Sequence, residues 1–173
     1  MTPNPGWHLA ELNIAVLHQP LDHPDTAEFV EALDHVNALA ESSPGFVWRL
    51  VDEETGQSSS YVQADDDPLS IINLSVWVTP DHLHDFVYRT AHTSYLRRRR
   101  EWFQKVDVFL ACWWIPVGHR PSVGESMARL DLIRREGVTD DAFTLRDRRS
   151  SPVSPPPADW SSGVHDVQRL ITP

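Results

Sequence analysis

The order in which strand patterns and helix patterns follow one another constrains the fold of this chain more than any other feature. Alternating apolar and polar positions and short β-branched or aromatic runs predict strands over residues Trp7–Val16, Phe46–Val51, Ser70–Val78 and Asp107–Ile115. Apolar residues three and four apart predict two helices, one from Asp25 to just before Pro44 and one from Thr79 to about Gln104, with residues 91–93 as the place for a bend. The order β-α-β-β-α-β is that of a ferredoxin-like α+β domain, whose sheet carries its helices on one face.

The rest of the chain adds an extra helix and a tail. A third helix is predicted from Ser122 to Gly137, and a last short strand over Ala142–Leu145. The length of 173 residues, of which 40% are hydrophobic, is typical of one domain. We therefore predict an N-terminal arm over residues 1–6, a ferredoxin-like domain over 7–145 and a Pro-rich tail over 146–173 that folding does not require.

The strand Ser70–Val78 shows two different sides. Ile72, Leu74, Val76 and Val78 form one side, and the other side shows polar groups beside an indole. We predict that this polar side is the uncovered face of the sheet, and that it is lined by Asn13, Asn73, Ser75 and Trp77. Such a face could wall a pocket for an aromatic ligand, or it could be a homodimer interface without a cavity. A homodimer through the sheet faces is the predicted assembly.

Composition excludes several classes of function. The net charge of −10 argues against nucleic-acid binding, because phosphates need clustered Lys and Arg. A single cysteine, Cys112, allows no intramolecular disulfide, and no apolar run is long enough to span a bilayer. Residues 1–6 are polar and Pro-rich, so we expect no signal peptide there. The sequence has no glycine-rich phosphate loop, no nucleophile elbow and no zinc-ligand spacing. We expect a cytoplasmic protein without a membrane partner.

Histidines are the predicted titrating groups of the site. His92 shares a helix face with Tyr88 and Arg99, and could act as a general acid or base or ligate a haem iron. His119 follows an aromatic strand in a loop, where it could be catalytic or fix the turn. A hydrogen-bonded core histidine is the structural alternative for His92. The choice of histidine rests on elimination, because the carboxylates are assigned mainly to loops, helix surfaces and the tail.

A run of arginines and a set of tryptophans complete the candidate site. Arg97–Arg100 is read as a solvated helix surface with one buried member, Arg99. Seven tryptophans are many for this length, and Trp48 and Trp113 join Trp77 as candidate walls of a pocket. No cofactor is expected, with haem as the alternative.

The chain resembles a bacterial family catalogued as a domain of unknown function, family 3291, within the dimeric α/β-barrel superfamily that includes antibiotic-biosynthesis monooxygenases. The phrases that carry the resemblance span about residues 7 to 145: Trp7–Asn13, Ser43–Arg49, Phe86–Arg89, Ala91–His92, Arg99, Trp102–Phe103, Trp113–Trp114, Gly118–Pro121, Arg129–Leu130 and Ala142–Thr144. The resemblance implies two ferredoxin-like sheets that face each other across a dimer. The superfamily also includes isomerases of aromatic degradation and haem proteins, and fold alone does not choose among them.

Two classes of function stay open at this point. The first is an enzyme of a biosynthetic pathway, a cofactor-independent oxygenase, cyclase or isomerase, which acts on an apolar or aromatic small molecule with histidine as acid or base. The second is a non-catalytic protein, either a small-molecule or haem binder or an interaction subunit.

Overall fold

The structure, a computed structural model, describes residues 4–90, 97–147 and 149–156. The described strands are β1 (Trp7–Val16), β2 (Phe46–Arg49), β3 (Ser70–Trp77) and β4 (Leu110–Pro116). The α-helices are α1 (Ala27–Glu41), α2 (Pro80–Arg89) and α3 (Val123–Glu136). Short 3-10 helices cover Pro24–Thr26, Ser59–Tyr61 and Arg99–Glu101.

The four strands form one antiparallel sheet in the order β2-β3-β1-β4. The two central strands, β1 and β3, are next to each other although a helix and a strand separate them in the chain. This arrangement confirms the predicted ferredoxin-like α+β fold with an extra C-terminal helix. In register across the sheet, Glu11 of β1 lies opposite Ser75 of β3 and Cys112 of β4.

One face of the sheet packs against α1 and α2, and we call it the α1/α2 face. Its strand residues include Leu9, Glu11, Asn13, Ser75, Trp77, Cys112 and Trp114. The sheet residues of this cluster contact Ala40 of α1 and Leu83 and Phe86 of α2. The Thr79 hydroxyl accepts a hydrogen bond from the His82 backbone at 3.3 Å, and Pro80 occupies the first turn, as the sequence predicted for the start of α2.

The opposite face, which we call the α3 face, is covered by the chain itself. Its strand residues are aliphatic except for one tryptophan: Ala10, Leu12, Ile14, Ile72, Leu74, Val76, Ala111, Trp113 and Ile115. Leu130, Leu132 and Ile133 of α3 pack on them, and Val62 and Ala64 cover the β3 side. The burial of these apolar side chains explains why α3 docks here rather than extending into solvent.

This packing corrects the prediction of an uncovered polar face. Asn13, Asn73, Ser75 and Trp77 share one side of the sheet, as predicted, but that side carries α1 and α2. The sequence pattern correctly predicted that these four residues lie on one side of the sheet. It did not show which side each helix would cover. Pairing with a second copy of the chain stays a prediction, now without an open sheet face as its reason.

The second predicted helix is wrong at its C-terminal end. Helix α2 ends at Arg89, residues 97–98 are again helical, and Arg99–Glu101 is a 3-10 helix, but residues 102–104 run beside the end of β1. The backbone N–H of His18 donates to the Trp102 carbonyl at 2.8 Å, and that of Gln104 donates to the Val16 carbonyl at 2.8 Å. Trp102 is buried with Leu17 in a third apolar cluster, and this tertiary contact outweighs the helical spacing of the sequence.

Part of the predicted tail lies against the N-terminal segment. The indole N–H of Trp7 donates to the Ser154 carbonyl at 2.9 Å, and the Asn4 amide donates to the Pro152 carbonyl at 2.7 Å. Among the described helices, of which α1 is the longest at 15 residues, none has the length and apolarity needed to cross a membrane.

Candidate functional site

A buried carboxyl group lies at the centre of the α1/α2 face. Glu11 is in the middle of the central strand β1 and is 4% exposed. Burial disfavours the charged form and raises the pKa of Glu11 to about 7, while hydrogen bonds from Asn13 and Ser75 oppose the rise. At neutral pH this carboxyl group therefore exists in both protonation states, which is the property that a general acid or base needs.

A chain of hydrogen bonds fixes the Glu11 carboxyl group. The Trp77 indole N–H donates to Ser75 Oγ at 3.0 Å, and the Ser75 hydroxyl donates to Glu11 Oε2 at 3.1 Å. The Asn13 amide donates to Glu11 Oε1 at 2.9 Å. In the described part of the chain all of the side-chain donors to Glu11 are neutral, so no cation compensates its charge.

Two asparagines form the accessible end of this cluster. Asn13 and Asn73 lie directly opposite each other on the two central strands. All residues of β3 except Asn73 are buried. Asn73 is partly exposed, and so is Asn13 on β1. The amide of Asn73 makes no side-chain hydrogen bond to any other described residue, so its donors and its acceptor are available to a ligand.

Aromatic rings enclose the other end. The Trp77 ring stacks on Phe86 of α2 with centroids 5.2 Å apart, and Phe46 of β2 meets it edge-on at 5.3 Å. Trp77 is 1% exposed, so its orientation is fixed by packing as well as by its bond to Ser75. On the same face, the buried indole N–H of Trp114 has no hydrogen-bond acceptor within the described residues.

A second polar cluster holds α3 on the opposite face. Glu125 accepts hydrogen bonds from the Trp113 indole at 3.1 Å and contacts His119 Nε2 at 2.8 Å. Arg129 is 2% exposed, and burial lowers its pKa against the opposing charges of Glu125 and Asp141. Its Nη1 donates to the Asp141 carbonyl at 2.8 Å. This cluster joins the loop after β4 to α3 and carries its own compensating cation.

The predicted site residues therefore separate into groups. Asn13, Asn73, Ser75 and Trp77 come together around Glu11, whereas His119 and Trp113 belong to the α3 cluster. Trp48 also packs against the α3 face, with the Arg120 guanidinium 5.9 Å from its ring.

The remaining candidates lie away from both clusters. Tyr88 is 52% exposed on α2, and its ring contacts that of His84 at an interplanar angle of 45°. Arg99 is exposed in a 3-10 helix, which corrects its prediction as a buried partner. The neighbouring Arg98 makes the ion pairs instead, with Glu28 and Glu101. His92 lies outside the described residues.

Glu11 is the residue that sequence reasoning missed. The elimination in favour of histidine overlooked a carboxyl group placed between Leu9 and Asn13 on one side of a strand whose other side is Ala10, Leu12 and Ile14. A glutamate in the middle of a strand with one continuous apolar side was the available signal. In the described part of the chain, no group of three or more His, Cys, Asp or Glu side chains could hold a metal ion.

Comparisons with known proteins give a family and a set of similar folds. A family model described as "Domain of unknown function (DUF3291)" matches residues 8–158. No functionally curated protein matches the chain. SnoaB, a cofactor-independent oxygenase from Streptomyces nogalater, is 16% identical, with a TM-score of 0.41 over 66% of this chain and 95% of that one.

Two further solved structures are similar to the same extent. PA3566 from Pseudomonas aeruginosa is 14% identical, with a TM-score of 0.41 over 69% of this chain and 99% of that one. A protein of unknown function from Nitrosomonas europaea is 8% identical, with a TM-score of 0.43 over 69% of this chain and 97% of that one. At such identities the similarity does not extend to an activity.

Proposed function

We propose that this chain, which belongs to the DUF3291 family, is an enzyme that removes a proton from an apolar or aromatic ketone or phenol, with Glu11 as the base. The observation that supports the proposal is that a buried carboxyl group on the α1/α2 face lies next to partly exposed polar side chains. A carboxyl group whose pKa is about 7 lies beside two partly exposed asparagines and an immobilised indole. A structural role alone would favour an apolar residue at this position, because an uncompensated buried carboxylate destabilises the fold.

The chemistry follows from the groups at hand. The Glu11 carboxylate takes a proton from a carbon next to a carbonyl group, and the electron pair of the broken C–H bond moves to the carbonyl oxygen to form an enolate. The Asn73 amide N–H groups are free to donate to that oxygen, and the Asn13 amide keeps Glu11 Oε1 in place. Trp77 supplies a flat apolar wall for an aromatic ring.

Three reactions share this first step. An enolate can be protonated at another carbon, attack a second carbonyl carbon, or react with molecular oxygen. These outcomes are isomerisation, cyclisation and cofactor-independent oxygenation. No cofactor is part of the proposal, since the carboxyl group and the substrate supply the proton transfer between them.

The test uses anthrone, a tricyclic aromatic ketone with an acidic methylene group. We expect the protein in D₂O to speed deuterium incorporation into that methylene, with a rate that rises as pH passes through about 7 because the ionised form of Glu11 is the base. Oxygen consumption and anthraquinone formation, followed in the same samples, separate oxygenation from proton transfer alone.

Glu11→Gln keeps the size of the side chain and removes the base. We expect it to lower the catalysed exchange by a factor of about 100 or more, which is the usual contribution of a general base. The control is Glu31→Gln, which changes an exposed carboxyl group on α1 and should leave the rate unchanged. Equal exchange in wild type and Glu11→Gln would refute the proposal, and anthrone binding without exchange would favour a non-catalytic binder.

A further inference from the structure

An arginine at the edge of the α1/α2 face has an unused buried donor. Arg49 of β2 lies opposite Ser75 of β3, and its Nε donates to Glu41 of α1 at 2.8 Å. Its Nη1 is buried and has no hydrogen-bond acceptor among the described residues. A buried guanidinium N–H without an acceptor is unfavourable, and native proteins normally satisfy it with a water molecule or a ligand.

A second polar side chain with unused capacity lies nearby on α1. Asn37 is 8% exposed and is one helical turn before Glu41, so both residues are on the same side of the helix. Within the described part of the chain, the Asn37 amide makes no side-chain hydrogen bond. The contacting elements α1 and β2 therefore carry a cation and an amide whose hydrogen-bonding groups are not all used by the described residues.

This edge lies at a definite position relative to Glu11. Arg49, Ser75 and Glu11 are in register on three adjacent strands and on the same face. With neighbouring strands about 4.8 Å apart, the backbone of Arg49 is about 10 Å from that of Glu11. A ring system of two or three fused rings with an anionic substituent at one end would reach from one residue to the other.

We infer that Arg49 and Asn37 bind a carboxylate group of the substrate and so place its ring system over Asn13, Asn73 and Glu11. This inference rests on the proposed function and names the class of molecule: an aromatic acid that has a separate ketone or phenol function. The guanidinium Nη1 donates to one carboxylate oxygen, and the Asn37 amide N–H donates to the other. Glu41 keeps the guanidinium in place through Nε.

The experiment compares two probes that differ in charge. Binding of anthraquinone-2-carboxylate and of its methyl ester to the full chain is measured by tryptophan fluorescence and calorimetry. We expect the acid to bind roughly tenfold more tightly than the ester, because a charge-assisted hydrogen bond to a buried guanidinium is lost in the ester. Arg49→Gln should remove this preference and leave the ester affinity unchanged, whereas Arg49→Lys should keep part of it.

The control is Arg98→Gln, because Arg98 is paired with Glu28 and Glu101 away from this edge. It should leave both affinities unchanged. Circular dichroism and the melting temperature show whether each variant is folded, and Glu41→Gln gives a second test, since the preference for the acid should weaken when the guanidinium loses its anchor. Equal affinities of acid and ester in wild type, or a preference that survives Arg49→Gln, would overturn the inference.

The outcomes also separate this inference from the proposed function. If Glu11→Gln abolishes anthrone exchange while acid and ester bind equally, the base stands and the carboxylate site fails. If neither probe binds to the wild-type chain, the carboxylate site fails and the binding pocket of the proposed function fails with it. If the acid is preferred but Glu11→Gln leaves exchange unchanged, the carboxylate site stands and Glu11 is not the base.

Discussion

The two faces of the sheet bury one glutamate each, and the two glutamates have opposite surroundings. Glu125 on the α3 face receives hydrogen bonds from an indole and a histidine and lies in the field of the Arg129 guanidinium. Glu11 on the α1/α2 face has only neutral donors among the described residues, and burial raises its pKa to about 7. The charge of Glu125, which supports the structure, is compensated by a nearby cation. Glu11 has no such cation among the described residues, and its face is the one on which we expect chemistry.

The strand residues differ in the same way. On the α3 face β1 and β3 contribute Ala10, Leu12, Ile14, Ile72, Leu74 and Val76, all buried and all aliphatic. On the α1/α2 face the same two strands contribute Glu11, Asn13, Asn73 and Ser75 to their centre. One face is therefore aliphatic throughout these two strands, and the other has four polar side chains at its centre, of which Glu11 and Ser75 are buried and the two asparagines are partly exposed.

The largest expected change in stability comes from substitutions at two adjacent residues of β3 that lie on opposite faces of the sheet. Leu74→Asn places an amide on the aliphatic face, where it loses buried apolar surface and leaves polar atoms without partners. We expect the free energy of unfolding to fall by about 5 kcal/mol in urea titrations. Asn73→Leu is the matched variant, and it should be neutral or slightly stabilising because Asn73 makes no side-chain hydrogen bond in the described part of the chain. A similar loss in both variants would contradict the distinction between the faces.

The next effect concerns the compensating cation. Arg129→Met removes the guanidinium and leaves Glu125 buried without it. We expect a loss of about 4 kcal/mol in the free energy of unfolding, the usual result of breaking one side of a buried charge pair. Arg134→Met on the same helix is the control, since Arg134 is an exposed member of a surface pair with Asp131 and should change stability by less than about 0.5 kcal/mol. If the two variants behave alike, Arg129 does not compensate Glu125.

The smallest effect is a dependence on pH that belongs to Glu11. Its pKa is raised from 4.5 in the unfolded chain to about 7 in the folded protein, so the protonated carboxyl group stabilises the fold fully below pH 4.5. This contribution, about 3 kcal/mol, is lost as pH rises through about 7. Urea titrations at about pH 5 and about pH 8 should show it in wild type and in Glu41→Gln, and it should be absent from Glu11→Gln. Identical pH dependence in wild type and Glu11→Gln would mean that Glu11 ionises normally.

The sequence by itself determined the fold class and the composition of each side of the sheet. Period-two alternation in Ser70–Val78 separates Leu74 from Asn73 whatever packs above them, because successive side chains of a strand point to opposite faces. Thr79-Pro80 predicted the start of α2 for an equally local reason, since a hydroxyl cap and a fixed backbone angle act within one turn. Family resemblance pointed to the same fold, and the family model that matches residues 8–158 confirms the family.

The tertiary structure decided which helices cover each face, and with that the identity of the candidate base. Periodicity shows that α3 has an apolar side but does not show that this side docks on the aliphatic face of the sheet and leaves the polar face to α1 and α2, because hydrophobic attraction has no direction. The helix predicted through residues 102–104 gave way to pairing of these residues with the end of β1, because Trp102 is buried there. The raised pKa of Glu11 comes from burial on the face that carries α1 and α2, and the strand pattern, which marks Glu11 as unusual, does not show which elements bury it.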